Sequence, residues 1–345
     1  MDDITTERRS TMADIAAKAG VSVSTVSKVL HGRSDVSAKT RGKVQRLLGQ
    51  HGYTLPGRHE HPGGLIEFVI NELDNPWAVE LIRGAEEALQ AEGMGLVVSA
   101  VHKRSNLARQ WLDDLGTRGS LGAILVISEL SADQERELRR LGIPFVVVQP
   151  SVDEGPDVPS VGSTSWNGGF TATRHLIELG HRRIAMITGP AHRLTSRARL
   201  DGYRAALDQV GIEVDPALIR HGDYSHEPAY HHAVELLDLP DRPTAVFAGN
   251  DIQALATYRA AHARGLRVPE DLSVVGFDDL SFAQWIAPTL TTVRQPLANM
   301  AAMAARMLIQ LINGQEPDTP RVELATSLVV RESTAPAPAD PGRAR

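Results

Sequence analysis

Cysteine is absent from the 345 residues. That excludes disulfides, thiolate nucleophiles and Cys-built zinc sites, and it agrees with a reducing compartment. No run reaches the ~18 apolar residues of a membrane-spanning helix. Met1 to Gly20 holds Asp2, Asp3, Glu7, Arg8 and Arg9 without an apolar stretch, so no secretory signal and a cytoplasmic location are expected. Catalytic signatures are missing as well. There is no Gly-x-Gly-x-x-Gly after a strand, no P-loop, no Gly-x-Ser-x-Gly and no His-Glu-x-x-His. The 13 histidines are scattered, and His231-His232 falls on a surface helix. An enzyme is therefore not expected, and no cofactor is implied. Aromatics make up only 4% of the chain, so any aromatic beside a pocket is informative.

What is present is unevenly charged. The net charge is −6, yet residues 1–58 carry ten Lys/Arg against five acids, or +5, which leaves −11 for the remainder. A basic end on an acidic remainder suits a chain of which only that end meets a polyanion. At 345 residues, a small unit plus a two-lobed body is the expected organisation.

The basic end reads as three short helices. Met12, Ile15, Ala16 and Ala19 make one apolar stripe, with Thr11 as N-cap and Asp14 a loose match to a capping box. Gly20 supplies a tight turn, and Ser22 caps a second helix over 23–30. Val26, Val29 and Leu30 face inward there, and Ser24, Thr25, Ser27 and Lys28 face out. Gly32 ends it. A third helix over 37–48 buries Val44, Leu47 and Leu48, and Tyr53 closes the small core. Two helices about a glycine turn make a helix-turn-helix. Short hydroxyls and one lysine on the outer face fit between base edges without bulk.

From Leu65 the pattern alternates. Apolar runs at 65–70, 96–101, 123–127, 145–148, 184–188, 245–248 and 272–276 suit buried parallel strands. Helical periodicity lies at about 77–92, 105–117, 131–141, 197–210, 226–237 and 251–264. The expected fold is a small all-α helix-turn-helix head plus an α/β body of two doubly wound parallel-sheet lobes. Asn250 and Asp278 each end an apolar strand, where ligand contacts gather in such sheets. An amide and a carboxylate can hold vicinal hydroxyls, and Arg199 offers a planar fork of donors.

Particular strings carry a resemblance. They are Asp14-Ile-Ala-x-x-Ala-Gly-Val-Ser22, Thr25-Val-Ser27 and Val36-Ser-x-x-Thr-Arg41 in the head. In the body they are Asn75-Pro-Trp77, Glu178-Leu-Gly-His-Arg-Arg-Ile184, Ala248-Gly-Asn-Asp251, Val274-Val-Gly-Phe-Asp-Asp279 and Pro288-x-Leu-Thr-Thr292. The chain resembles the LacI/GalR (lac-repressor) family over about 320 residues. The resemblance implies that Val23, Ser24 and Lys28 read bases in the major groove. It implies that Thr11, Ser22, Thr25, Ser27, His31, Thr40 and Tyr53 hold the DNA backbone. Val23 has no hydrogen-bonding group, so it can meet only a thymine methyl or a shape. The sequence departs from the family at the hinge. Leu55-Pro-Gly-Arg-His-Glu-His-Pro-Gly-Gly64 has two prolines and three glycines and will not hold the usual short helix. No minor-groove leucine is carried over, and His59-Glu60-His61 lacks a further ligand for a metal.

For the body, the resemblance implies the fold of periplasmic sugar-binding proteins, with chain crossings near 161–163, 291–296 and 319–323. The implied domains are the head (11–53), a linker (54–64), the body (65–333) and a disordered tail (334–345). Lobe 1 takes 65–161 and 296–320, and lobe 2 takes 163–291 and 322–333. Effector-binding positions are Arg199, Asn250 and Asp278, with Arg197, Gln295, Gln149 and Tyr224 less regular, and Trp77 placed to stack on a pyranose. The implied partners are a pseudo-palindromic double-stranded operator, a sugar or oligosaccharide effector and a second copy of the chain. A dimer surface is expected on the helices near 77–92 and 296–312, although Met300, Met303 and Met307 suit a core equally well. The expected function is a sugar-responsive repressor. Its rivals are a transport receptor and a small-molecule enzyme on the same two-lobed scaffold.

Overall fold

The computed structural model describes residues 11–30, 36, 40, 43–44, 47–48, 64–101, 111–112, 115, 117–126, 132–150 and 157–338. The chain divides into two units, residues 1–64 and 65–345.

In the first unit, α1 (Met12–Ala19) opens on a complete capping box. Asp14 N donates to Thr11 Oγ1 at 3.3 Å, and Thr11 N donates to Asp14 Oδ2 at 2.7 Å. Aspartate closes the box in place of the usual Glu or Gln, which is why the pattern looked only loose in sequence. Gly20 adopts φ 68°, a conformation that glycine tolerates best, and α2 (Val23–Leu30) follows. Thr40, Lys43, Val44, Leu47 and Leu48 are helical as well. Ile15, Ala16, Ala19, Val26, Val29, Val44 and Leu48 pack into one buried cluster, so the stripes read from sequence do meet. His31, Gly32, Tyr53 and linker residues 54–63, including His59-Glu60-His61, lie outside the described residues.

The second unit has two sheets. In lobe 1, β1 (Leu65–Ile70), α3 (Pro76–Gln90), β2 (Gly95–Ala100), β3 (Gly122–Val126), α4 (Ala132–Leu141), β4 (Phe145–Val148) and β5 (Ser160–Ser163) follow in order. Lobe 2 contains α5 (Ser165–Glu178), β6 (Ile184–Thr188), α6 (Leu194–Asp208), β7 (Ile219–His221) and α7 (His226–Leu237). It continues with β8 (Ala245–Ala248), α8 (Asp251–Ala263), β9 (Ser273–Asp278) and β10 (Thr291–Arg294). The chain then returns through α9 (Leu297–Ile312) and β11 (Arg321–Leu324) to lobe 1, and ends its strands with β12 (Ser327–Val329) in lobe 2. The sheet orders are β11-β5-β4-β3-β1-β2 and β12-β10-β9-β8-β6-β7. Lobe 1's sheet is parallel throughout. Lobe 2's has one antiparallel edge, β12 against β10, where a fully parallel sheet was expected.

Two further expectations are corrected, and one open alternative is decided. The last crossing falls after Leu324 rather than at 319–323, because β11 pairs with β5, Arg321 opposite Ser160. The tail is not loose from 334. His175 Nε2 lies 3.0 Å from Thr334 Oγ1, and Ala337 N donates to Leu179 O at 2.8 Å. A Pro/Ala-rich segment lacks helix signals, yet its backbone can still dock on a lobe. The methionine stripe of α9 is core: Met300 and Met307 are buried with Phe68 and Leu81, and Met303 packs against them.

Helix α5 had no counterpart in the sequence reading, because Gly168-Gly169 and the threonines dilute its periodicity. The glycines are there for packing. A Cβ on Gly169 would run into the Arg199 carbonyl of α6, and one on Gly202 into Trp166 of α5. Gly84 plays the same part between α3 and α9, against Ala298. Gly84→Ala is expected to cost about 1–3 kcal/mol through overpacking. A thermal melt followed by circular dichroism checks this, and an unchanged midpoint would mean that the helices separate freely.

Candidate functional sites: an exposed helix face and a cleft

On α2 the side chains of Ser22, Val23, Ser24 and Lys28 are exposed, and Thr25 and Ser27 are half-buried. Val23 is 44% exposed, unusual for an apolar side chain on a helix whose other valines are buried. Ser22 Oγ lies 2.8 Å from both Ser24 Oγ and Thr25 Oγ1, and Thr25 N donates to it at 3.1 Å. The helix therefore starts in a cluster of three hydroxyls beside its own amide groups, an arrangement that accepts an anion readily. Thr11 is exposed, with its hydroxyl engaged by Asp14. Thr40 is half-buried.

In the body, a cleft of about 450 Å³ opens between the lobes. Its wall is built from strand ends. Asn71 follows β1, Val126 ends β3, Gln149 follows β4, Asn250 follows β8 and Asp278 ends β9. All lie at carboxyl ends, where parallel sheets gather their ligands. Trp77 enters from the first turn of α3, which Asn75 caps by accepting from Trp77 N at 3.0 Å. Trp77, Gln149, Arg199, Tyr224, Asn250 and Asp278 all line the cleft. Arg197 is exposed on α6 and does not, and Gln295 sits buried behind Asp278. Asn71, Arg193, Thr195, Asp223 and His226 line it too and were not singled out in the sequence. Their signal was position: Asn71 directly follows an apolar strand.

Three side chains make the floor. Arg199, only 5% exposed, donates from Nη1 to Gly249 O at 2.5 Å. Its guanidinium carbon lies 3.7 Å from the Phe277 ring centre, and Nη2 is 3.9 Å from Asp278 Oδ1. Asp278 Oδ1 accepts from Gln295 Nε2 at 2.5 Å. Gln295 Oε1 in turn accepts from Ser163 Oγ at 2.6 Å and Gln149 Nε2 at 3.0 Å. Asn250 caps α8, accepting from Gln253 N at 2.8 Å, and its Nδ2 donates to Tyr224 O at 3.0 Å. Tyr224 is seated by its hydroxyl, 2.7 Å from Ser196 Oγ, and by Gly189, whose missing Cβ leaves room for the ring.

Two observations mark this floor as built for a ligand. Arg199 Nε and Gln149 Oε1 are buried without a hydrogen-bond partner, which folded proteins rarely tolerate. Gln149, Tyr224, Asp278 and Asp279 are the non-glycine residues with left-handed φ among the described residues, at 56°, 72°, 117° and 59°. Such strain costs about 1–3 kcal/mol per residue and collects where function requires it.

Burial pushes the Asp278 carboxyl up to about 6, while Arg199 and Gln295 pull it back down. Asp251, fully buried beside it, is raised by burial and by the Asp278 charge. An effector hydroxyl donates more strongly to the ionised carboxylate than to the protonated acid. Effector affinity is therefore expected to be flat above about pH 7 and to fall by up to about tenfold per pH unit below 6. Stability runs the other way. The folded-state value is raised, so this group's contribution is present below about pH 4 and lost as pH rises through 6. Calorimetric titration from pH 5 to 8 checks the binding profile, which Asp278→Asn should flatten. A flat profile in the parent chain would refute the assignment.

A helix-turn-helix unit joined to a two-lobed body with a cleft defines the class: a DNA-binding transcription regulator with a small-molecule site. The model for bacterial regulatory proteins of the lacI family matches residues 11–55, and that for a periplasmic binding protein-like domain matches residues 173–334. The chain is 34% identical over 337 residues to the HTH-type transcriptional repressor CytR of Escherichia coli K12, covering 96% of this chain and 98% of that one. The solved complex of the transcriptional regulator CelR with cellobiose superposes with a TM-score of 0.72. It is 35% identical and covers 94% of this chain and 100% of that one. The lac repressor dimer bound to operator and the anti-inducer ONPF superposes with a TM-score of 0.71 at 29% identity, covering 95% and 100%. The chain belongs to the LacI family of bacterial regulatory proteins. Among the described residues no helix is long and apolar enough to cross a membrane, and no group of three His, Cys, Asp or Glu side chains could hold a metal.

Proposed function

We propose that the chain is a cytoplasmic, homodimeric repressor of carbohydrate-utilisation genes that leaves its operator when a sugar fills the cleft. The observation that carries this reading is the floor, where Asp278 and Asn250 stand buried at strand ends beside Arg199 of α6, whose buried Nε has no hydrogen-bond partner. Asp278 and Asn250 hold vicinal hydroxyls, Arg199 Nε donates to a ring or hydroxyl oxygen, and Trp77 covers an apolar pyranose face. Cellobiose in the CelR complex supports a ligand of disaccharide size. The operator-bound lac repressor dimer supports two heads reading a pseudo-palindrome. Val23, Ser24 and Lys28 then meet base edges. Thr11, Ser22, Thr25, Ser27, His31, Thr40 and Tyr53 meet the backbone. Gln295 acts from behind Asp278, and no cofactor is needed.

The test is a titration of labelled operator, selected from random DNA, with a panel of mono- and disaccharides that includes cellobiose. A sugar that changes operator affinity supports the reading, and a panel that changes nothing refutes the effector class. Binding to DNA that survives deletion of residues 1–52 would reject the head as the reader, and a full-length chain that binds no selected DNA would leave the transport-receptor reading standing.

A further inference from the structure

The chain leaving β9 does three different things in three residues. Asp278 lines the cleft. Asp279 is clamped by Arg294 at 2.7 Å and Arg331 at 2.6 Å. Leu280, 1% exposed, then leaves the core of its own lobe. It packs into the cluster of Ile66, Phe68, Leu81 and Met300, the core of lobe 1, and Phe282 packs against the same cluster. The segment is rigid. Two of its residues have left-handed φ, and Leu280 N donates to Asp251 Oδ2 at 2.7 Å. The other Asp251 oxygen accepts from Thr292 Oγ1 on β10 at 2.5 Å.

A second side-chain link between the lobes at the floor is the polar bridge of Gln295 with Ser163 and Gln149. Polar partners can be exchanged for water or for an effector. An apolar plug in a close-packed core cannot, and it has discrete seats rather than a continuum of positions.

We propose that Leu280, backed by Phe282, is the positioning residue that couples the cleft to lobe 1. An effector that draws on Asp278 shifts the rigid segment Asp278–Asp279–Leu280, and the plug carries that shift into the lobe whose first strand continues from the head. This rests on the effector-controlled DNA binding proposed above. Asp251 is the anchor that keeps the segment from yielding at its far end, so motion at the carboxylate is delivered rather than absorbed.

The absence of cysteine allows a clean test in the full-length chain. Arg136→Cys on α4 and Gln209→Cys at the end of α6 are both exposed, one in each lobe. They are spin-labelled together, and the labelled chain is diluted with unlabelled protein. Without ligand, one narrow label-to-label distance is expected for the parent and for Leu280→Met, and a second, broader population for Leu280→Ala. With a sugar that acts on the parent, Leu280→Ala should still bind sugar and operator separately. The factor by which sugar changes operator affinity should fall from roughly 5–150-fold toward onefold. A Leu280→Ala chain with the parent's single distance and full factor overturns the proposal, and so does a Met variant as loose as the Ala variant. If Leu280→Ala fails to fold in a thermal melt, Phe282→Ala removes only the half-buried outer part of the plug and is judged by the same outcomes. A parent on which no sugar acts refutes the effector reading instead, while the ligand-free distances still decide this one.

Discussion

Arg199→Ala is expected to abolish the response to effector while leaving operator binding in place. The guanidinium is buried on Phe277, donates to the Gly249 carbonyl and is the cation nearest Asp278 among the described residues. Three losses coincide on its removal: the donor that would meet the ligand, the packing under it, and the charge that keeps Asp278 ionised. Truncating one partner of a buried charge pair costs about 2–5 kcal/mol in binding, which is roughly 30-fold to 5,000-fold in affinity. A comparable loss of fold stability, about 3–5 kcal/mol, follows from the carboxylate left behind. The apparent Asp278 pKa should climb further, so lowering the pH should relieve part of the instability. Calorimetry with the sugar that acts on the parent measures the first effect, and denaturant melts at pH 5 and 7 measure the second. Arg199→Lys restores charge without the planar fork and should not rescue binding. An Arg199→Ala chain that is still released from operator by sugar would remove Arg199 from the site.

The parts legible in the sequence share a physical basis. Continuous apolar runs and period-3.6 patterns are local, so β1, β4, β6 and β8 could be read to the residue, and so could Ile15, Ala16, Ala19, Val26, Val29, Val44 and Leu48 in the core of the head. Asp278 and Asn250 were readable because a polar residue ending an apolar strand is a local signal. What escaped depends on partners distant in sequence. Helix α5 is built around glycines whose reason is the neighbouring helix. Asp251 reads as an ordinary first-turn acid, and only the fold brings Leu280 and Thr292 to its two oxygens. Gln295 looked like a ligand contact, yet its amide spans the gap between Asp278 and Ser163. Nothing in the sequence singles out Leu280, and its burial in the opposite lobe has no local mark.

The head offers the other large effect. Lys28→Ala is expected to weaken operator binding much more than binding to random DNA. Lys28 is exposed one turn beyond Ser24 on the outer face of α2, and a lysine side chain is long enough to meet a guanine edge from there under the reading proposed above. One lost base contact costs about 1–3 kcal/mol. A dimer loses two, so operator affinity should fall by roughly 30-fold to 20,000-fold. Val23→Ala should cost less and only at operators with a thymine opposite it, because an apolar side chain has a methyl to lose and no hydrogen bond. Ser24 differs again. Its hydroxyl is already 2.8 Å from Ser22 Oγ, so reading a base requires that contact to be exchanged, which lowers what the serine can contribute to discrimination. Salt dependence separates the roles. A base contact leaves the slope of log affinity against log salt nearly unchanged, whereas a phosphate contact lowers it by about 0.9 per site. Filter binding to operator and random DNA across a salt series measures both quantities. If Lys28→Ala weakens the two DNAs in parallel and the slope drops, Lys28 holds the backbone, and recognition rests on Val23 and Ser24 alone.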